Sequence, residues 1–480
     1  MFAAGRFSEI VTPATSIIRV KVMESKENEK LYIKTRRLSL MDTFFYNGFF
    51  IITQGFILTG LALEYGANEL TLSIIGVLPV LSQLVQLLVP FVINRTGTRR
   101  KALLLMALTA RITVALVSVT LAFGIVHQSI LLILLSIVAI CNSFASNFWI
   151  SIMKDIVPAT ISGRFYGRRN LVSSLTALSM TFAYSRILDS IQGRRGFLIV
   201  SSIAAVFALM DFLILALHHV PPRKEPSYSV GIFLRPFKDI QFRKFIVFSF
   251  VWNFALAISS PFFAYHQIIN LGLDYSFMSI MTIVNGLTLM AFYLLWGKIT
   301  DEIGGLDVAN YTIGITIFLP LTWAFTNSGT IFLIPVNQVI SGFAWSGVNL
   351  TLFTTMMSLF PSDKSEAYFA LLSFANGTGA LAGSVLGGVL ATLLRTMKFE
   401  IFGFDFFGIQ LLFVLSSLFR FLAWKMLKKV KVGMKRSIPR IIYDTTASIA
   451  HRSVARIFEF PSVYNSLKDK IHNRLDRPNR

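Results

Sequence analysis

The sequence predicts an all-α integral membrane protein of twelve transmembrane helices, arranged as two pseudo-symmetric six-helix bundles. Three observations predict it. Of 480 residues, 54% are hydrophobic and only 14% are charged, with a mean hydropathy of +0.65. Apolar stretches of about 20 residues, enough to cross a hydrocarbon core, recur along almost the whole chain. One long polar stretch, 218–244, divides them six and six. Backbone amides cannot stay unpaired in lipid, so these stretches form helices. The period-2 alternation of a membrane barrel is absent.

The spans read, in order, as 41–62, 70–93, 102–125, 129–152, 168–187, 197–217, 245–267, 274–296, 308–326, 330–358, 367–394 and 403–425. They divide the chain into an N-terminal segment (1–40), a first bundle (41–217), a linker (218–244), a second bundle (245–427) and a basic tail (428–480). No apolar core with a small-residue cleavage site precedes the first span, so no cleaved signal is expected.

The net charge is +21. In a soluble protein that would point to nucleic acid. Here the basic residues fill loops and tails, so no nucleic-acid partner is expected; charge-biased topology explains them better. Arg95, Arg99, Arg100 and Lys101 follow the second span. Lys154, Arg164, Arg168 and Arg169 follow the fourth, and Arg223, Lys224, Arg235, Lys238, Arg243 and Lys244 follow the sixth. The 1–2, 3–4, 7–8 and 9–10 loops have no Lys or Arg. This alternation places both termini in the cytoplasm of a plasma or inner membrane protein. Arg186, Arg194 and Arg195 depart from it on the outer side, as do Arg395 and Lys398 more mildly. The tail, from Lys425 and Lys428 onward, is expected to hold to anionic lipid of the bilayer, and Ile449 to Phe460 to lie on its surface. The single cysteine, Cys141, excludes an internal disulfide.

The halves share a pattern. Pro90-x3-Asn94-x2-Gly97 follows span two, and Gly297-x3-Asp301-x2-Gly304 follows span eight, 207 residues on. Pro158 and Pro361 close spans four and ten, 203 residues apart, each followed by a serine (Ser162, Ser365) and an aromatic pair (Phe165-Tyr166, Tyr368-Phe369). Similar offsets point to a duplicated six-helix unit.

With these features the chain, over about 38–428, resembles the major facilitator superfamily (MFS) of secondary transporters. Their 2–3 loop signature is Gly-x3-Asp-x2-Gly followed by basic residues. Gly297, Asp301 and Gly304 match its first part. In the first half Gly97, Arg99 and Arg100 fit, while Pro90 and Asn94 replace glycine and aspartate. Gly163 to Asn170 resembles a 4–5 loop of bacterial members. The resemblance implies gating by these loops, with Asp301 as a latch, and with Asn94 a poorer one because an amide carries no charge. It also implies a central cavity lined by spans 1, 4, 7 and 10. The arginine motif of drug exporters in span four and their glycine motif in span five are missing.

Polar groups within a membrane are costly and mark cavities or helix contacts. Span 1 offers Asn47 and Gln54, seven apart on one helical face. Span 4 offers Asn142, Ser146 and Trp149, and span 7 offers Trp252, Asn253 and Ser260. Span 10 carries Gln338, Ser341, Trp345 and Asn349 as one stripe. Amides with tryptophan suit a neutral polar solute such as a sugar or nucleoside; the same residues also serve as interhelical glue. Asp42 reads as a helix N-cap at the interface or as a proton-coupling carboxylate. Arg111 and Asp211 are expected to pair, and the coupling ion, H+ or Na+, stays open. His266 reads as a loop-edge residue, and Trp296 and Trp424 read as interfacial anchors. Gly379, Gly383 and Gly387, four apart, make a close-packing face.

No metal-protease, intramembrane-aspartate or phosphate-loop motif appears, so neither an enzyme nor an ATP-driven pump is expected, and no cofactor. The expected function is transport of a small-molecule solute by alternating access. Multidrug efflux is the alternative, with a membrane sensor or channel outside the transporter class.

Overall fold

A computed structural model describes residues 13–221, 239–359, 365–401 and 404–431. Eight of its helices are single, and long and apolar enough to cross a membrane; a ninth crossing is a bent pair. α1 (Pro13–Phe50) runs unbroken through the expected N-terminal segment into span one. It ends in a 3-10 turn, Ile51–Thr53, and resumes as α2 (Gly55–Glu64) after a 49° bend. A run of β-branched residues weakens the helix here. Gly55, at φ 58, supplies the turn that L-residues rarely adopt. Asn47 and Gln54 therefore do not share a continuous helical face as their spacing implied.

Span two is α3 (Glu69–Leu81), a 3-10 stretch (Ser82–Leu88) and α4 (Val89–Thr96). Gly97, at φ 77, caps α4 and turns the chain into α5 (Arg99–Ala122). The remaining spans of the first half are α6 (Gln128–Ile156), α7 (Ala159–Ser190) and α8 (Arg194–Ala216). The segment 163–170 is thus helix, not loop: α7 begins just after Pro158.

The second half contains α9 (Ile240–Tyr265), α10 (Tyr275–Ile303), α11 (Gly305–Thr316), α12 (Phe318–Ala324), α13 (Leu333–Leu359), α14 (Ser365–Leu394) and α15 (Gln410–Leu427). Gly304, at φ 91, makes the α10–α11 turn. The predicted start of span twelve at 403 is corrected: β1 (Lys398–Ile401) and β2 (Phe404–Phe407) form an antiparallel hairpin, and the helix begins only at Gln410. Span nine breaks between α11 and α12. Pro320 has no N–H for the Thr316 carbonyl one turn back, and Arg420 Nη1 supplies that donor at 2.9 Å. These elements are consistent with twelve crossings.

The glycine face of α14 packs on α9. A Cβ at Gly379, Gly383 or Gly387 would overlap the carbonyls of Phe250, Phe254 and Ile258 respectively. This is the close approach that small-x3-small spacing allows. Trp296 corrects its reading as an anchor: it is fully buried, its indole donating to the Phe343 carbonyl at 2.9 Å. His266 likewise is no loop-edge residue. It sits fully buried in a π-helical turn (His266–Asn270), bonded to the Thr326 carbonyl at 3.0 Å.

The face whose loops are poor in Lys and Arg is termed outer. There the halves are joined. Both carboxylate oxygens of Asp189, at the end of α7, accept from the backbone N–H groups of Tyr275 and Ser276 at 2.8 Å, capping α10 of the other half. Buried Glu69 accepts from Tyr265 at 3.5 Å and lies 3.6 Å from Arg395, and Ser384 donates to the Ser73 carbonyl. Arg194 has a local job as well: it faces Glu64 and packs over Gly124.

Candidate functional site

Two adjoining cavities open into the first half. One, about 230 Å³, lies between α1, α3 and α6 and is lined by Gln54, Ser82, Gln83, Asn142 and Ser146 among apolar neighbours. The second, about 280 Å³, is lined by Asp42, Arg111, Asn142, Trp149 and Arg169. Tyr46, Asn142 and Ser146 line both. Of the sequence-predicted residues, Gln54 lines the first cavity, Trp149 the second and Asn142 both.

Charge is concentrated in the second cavity. Arg111 and Asp211 form the expected pair: Nη2 stands 2.6 Å and Nε 2.7 Å from the same carboxylate oxygen. Arg111 Nη1 also donates to Asn142 Oδ1 at 2.9 Å, and its guanidinium lies 5.0 Å from the Phe49 ring centroid. Asp211 is fully buried and Arg111 is 6% exposed. Such a pair holds only because each charge meets its opposite in a medium of low dielectric.

Asp42 corrects its reading as an N-cap. It lies well inside α1, is 5% exposed, and faces Asp211 at hydrogen-bonding range. Oδ1 of Asp42 and Oδ1 of Asp211 have no hydrogen-bond partner. Arg169, treated in the sequence as loop charge, stacks its guanidinium 4.1 Å from the Trp149 ring centroid. The signal that could have found it is its position inside the predicted span 168–187.

The remaining candidates lie elsewhere. Asn47 donates to the Thr43 carbonyl at 2.7 Å within its own helix. Trp252 is buried, stacked on Phe248 and tilted against Trp345 at 5.9 Å. Asn253 binds Asn376 at 2.9 Å and lines a third cavity, about 180 Å³, between α3, α9 and α14. In span ten the Gln338 carbonyl accepts from Asn285, Ser341 is half-buried and Asn349 is exposed. This stripe does not reach the two cavities of the first half.

Of the loop residues, Arg99 is buried and ion-paired with Asp155 at 2.8 Å, and it donates to Ser151 and to the Pro221 carbonyl. Arg100 donates to the Ala216 carbonyl at 3.1 Å. Both tie α5 to its own half. Asp301 is exposed at the end of α10, with no ion pair to a described residue, and Gly297 lies within that helix. The Asn94 side chain, the linker from 222 to 238 and the basic tail from 432 lie outside the described residues.

A helical bundle in two halves, joined at one face and hollow within, limits the families open to it. The model of the Major Facilitator Superfamily matches residues 40–384. The chain belongs to the Major Facilitator Superfamily. Solved members share its fold. The nucleoside transporter NupG superposes with a TM-score of 0.62 at 15% identity, over 84% of this chain and 100% of that one. A bacterial homologue of the iron transporter ferroportin, in an inward-facing state, gives 0.62 at 12% identity, over 83% and 98%. A D-xylose–proton symporter gives 0.58 at 14%, over 83% and 98%. No curated protein matches the chain in sequence. This facilitator is therefore a multi-pass membrane transporter of small solutes.

Proposed function

We propose that this protein moves a small polar organic solute across a cell membrane by alternating access, with both termini cytoplasmic. The observation that carries the reading is the joined outer face above a hollow first half. Asp189 caps a helix of the opposite half there, and opening the outer face has to break that contact. A bond made in one conformation and lost in the other biases a two-state equilibrium. Gln54, Asn142 and Ser146 offer donors and acceptors to hydroxyl or amide groups, which supports a neutral polar body such as a sugar or nucleoside. Asp42 supports proton coupling, since its carboxyl already faces a second one. Asp301 and the 2–3 loop remain candidate inner latches, and the basic tail a contact with anionic lipid.

The test is flux in proteoliposomes combined with spin-label distances across the outer ends of α7 and α10. Two distance populations that respond to solute, and flux weakened by Gln54→Leu, are expected. A single fixed outer distance under all solutes would sink alternating access about this gate.

A further inference from the structure

Buried polar groups without partners are rare and call for an explanation. Three such donors belong to residues that line the second cavity of the first half: Asn142 Nδ2, Trp149 Nε1 and Arg169 Nε. Asn142 is only 8% exposed, so its free donor is held within the protein and not in bulk water. Arg111 differs, because its guanidinium is occupied by Asp211 and Asn142.

The pairing of the charges points the same way. Asp42, Asp211, Arg111 and Arg169 stand close together, and Arg111 is taken up by its contact with Asp211. Stacking of Arg169 on Trp149 offsets part of its lost hydration, but it forms no salt bridge with a described residue. A cation at this depth is costly unless an anion joins it.

We propose that Arg169, Trp149 and Asn142 form a subsite for an oxyanion, so that the transported solute carries a carboxylate or phosphate at one end. This deepens the transport reading and rests on it. The adjoining cavity with Gln54 and Ser146 takes the neutral polar body of the same molecule, and Tyr46 stands between the two. Planar guanidinium and indole N–H groups suit two oxygens of one oxyanion better than a hydroxyl. At about 280 Å³, the second cavity has room for such a group together with water.

The test uses the full chain in lipid-free detergent micelles and reads tryptophan fluorescence and thermal stability. The probes are glucose, glucuronate, glucose 6-phosphate, acetate and inorganic phosphate, with phosphatidic acid as a lipid arm. Oxyanion probes should quench or shift a signal that Trp149→Phe removes. Arg169→Gln should weaken their binding about 10-fold or more, and Arg169→Lys less. Both variants are first checked for an unchanged elution profile, and Trp149→Phe guards against a fold defect at Arg169. Lack of any oxyanion-dependent signal, a signal unaffected by Arg169→Gln, or a response to phosphatidic acid alone would each overturn the solute subsite. The reading separates from transport itself. Flux of a neutral solute without oxyanion binding removes the subsite and leaves the transporter. Oxyanion binding without flux of any probe leaves the subsite and removes transport.

Discussion

The two halves treat a buried arginine in opposite ways. In the first half Arg111 sits in a set of four charges, with Asp211 on one side and Asp42 and Arg169 close by, beside a cavity. In the second half Arg420 is just as buried, yet its Nη1 donates to the Thr316 carbonyl that Pro320 leaves without a donor. Arg420 repairs a break in a span. The first-half charges are more than a repair needs, and Asp42, Arg111 and Arg169 among them line a cavity.

The largest break in that comparison should come from Asp211→Leu. It strands Arg111 in the bundle, and losing one partner of a buried pair costs about 3–5 kcal/mol. Thermal unfolding in detergent reads it. The double variant Arg111→Met with Asp211→Leu should recover most of the loss. A double variant as unstable as the single one would show that the pair is not what holds the site.

Packing in the second half should give the next effect. Gly383→Val forces a side chain into the Phe254 carbonyl, and overpacking of this kind costs about 3 kcal/mol. Unfolding should start from the α9–α14 contact, and proteolysis within those helices reports it. Arg420→Met leaves the Thr316 carbonyl without its donor, worth about 2 kcal/mol. Arg420→Lys should restore part of it. If Arg420→Met proved as damaging as Asp211→Leu, the contrast between paired and repairing arginines would be lost.

Smaller effects sharpen the boundary between the halves. Asp189→Asn keeps one acceptor but loses the charge facing the α10 N-terminus, worth about 1 kcal/mol. The outer spin-label distances should shift toward the open population by a few-fold, with little change in unfolding temperature. His218, just past α8, acts only on the acid side. Burial pushes its imidazole from 6.5 down to about 4, while Nδ1 donates to the Leu215 carbonyl. Below 6.5 the unfolded chain takes up a proton that the folded chain refuses until about 4, so stability falls as pH drops through that window. His218→Gln should flatten the fall; an unchanged acid slope in unfolding curves would assign it to other groups.

Particular residues show how far the sequence could be read. The glycines of α14 were legible because spacing by four fixes a face wherever a helix is straight. Arg111 and Asp211 were legible because lone charges in apolar spans seek each other. Trp296 was misread because distance from a span's end along the chain says nothing about which neighbour covers the ring. Asn47 and Gln54 were placed on one face because spacing assumes an unbroken helix, and the turn at Ile51–Thr53 breaks it.

The sequence by itself determined the helical membrane class, the loop charges and the resemblance to the family, since all of these follow from local hydropathy and short-range spacing. Only the tertiary structure decided that Asp42, Asn142, Trp149, Arg169 and Asp211 belong to one site. They come from four helices, α1, α6 (which gives two), α7 and α8, and their meeting depends on how those helices cross. Periodicity reports which face of a helix is polar; it carries no information about the face of the next helix that it meets.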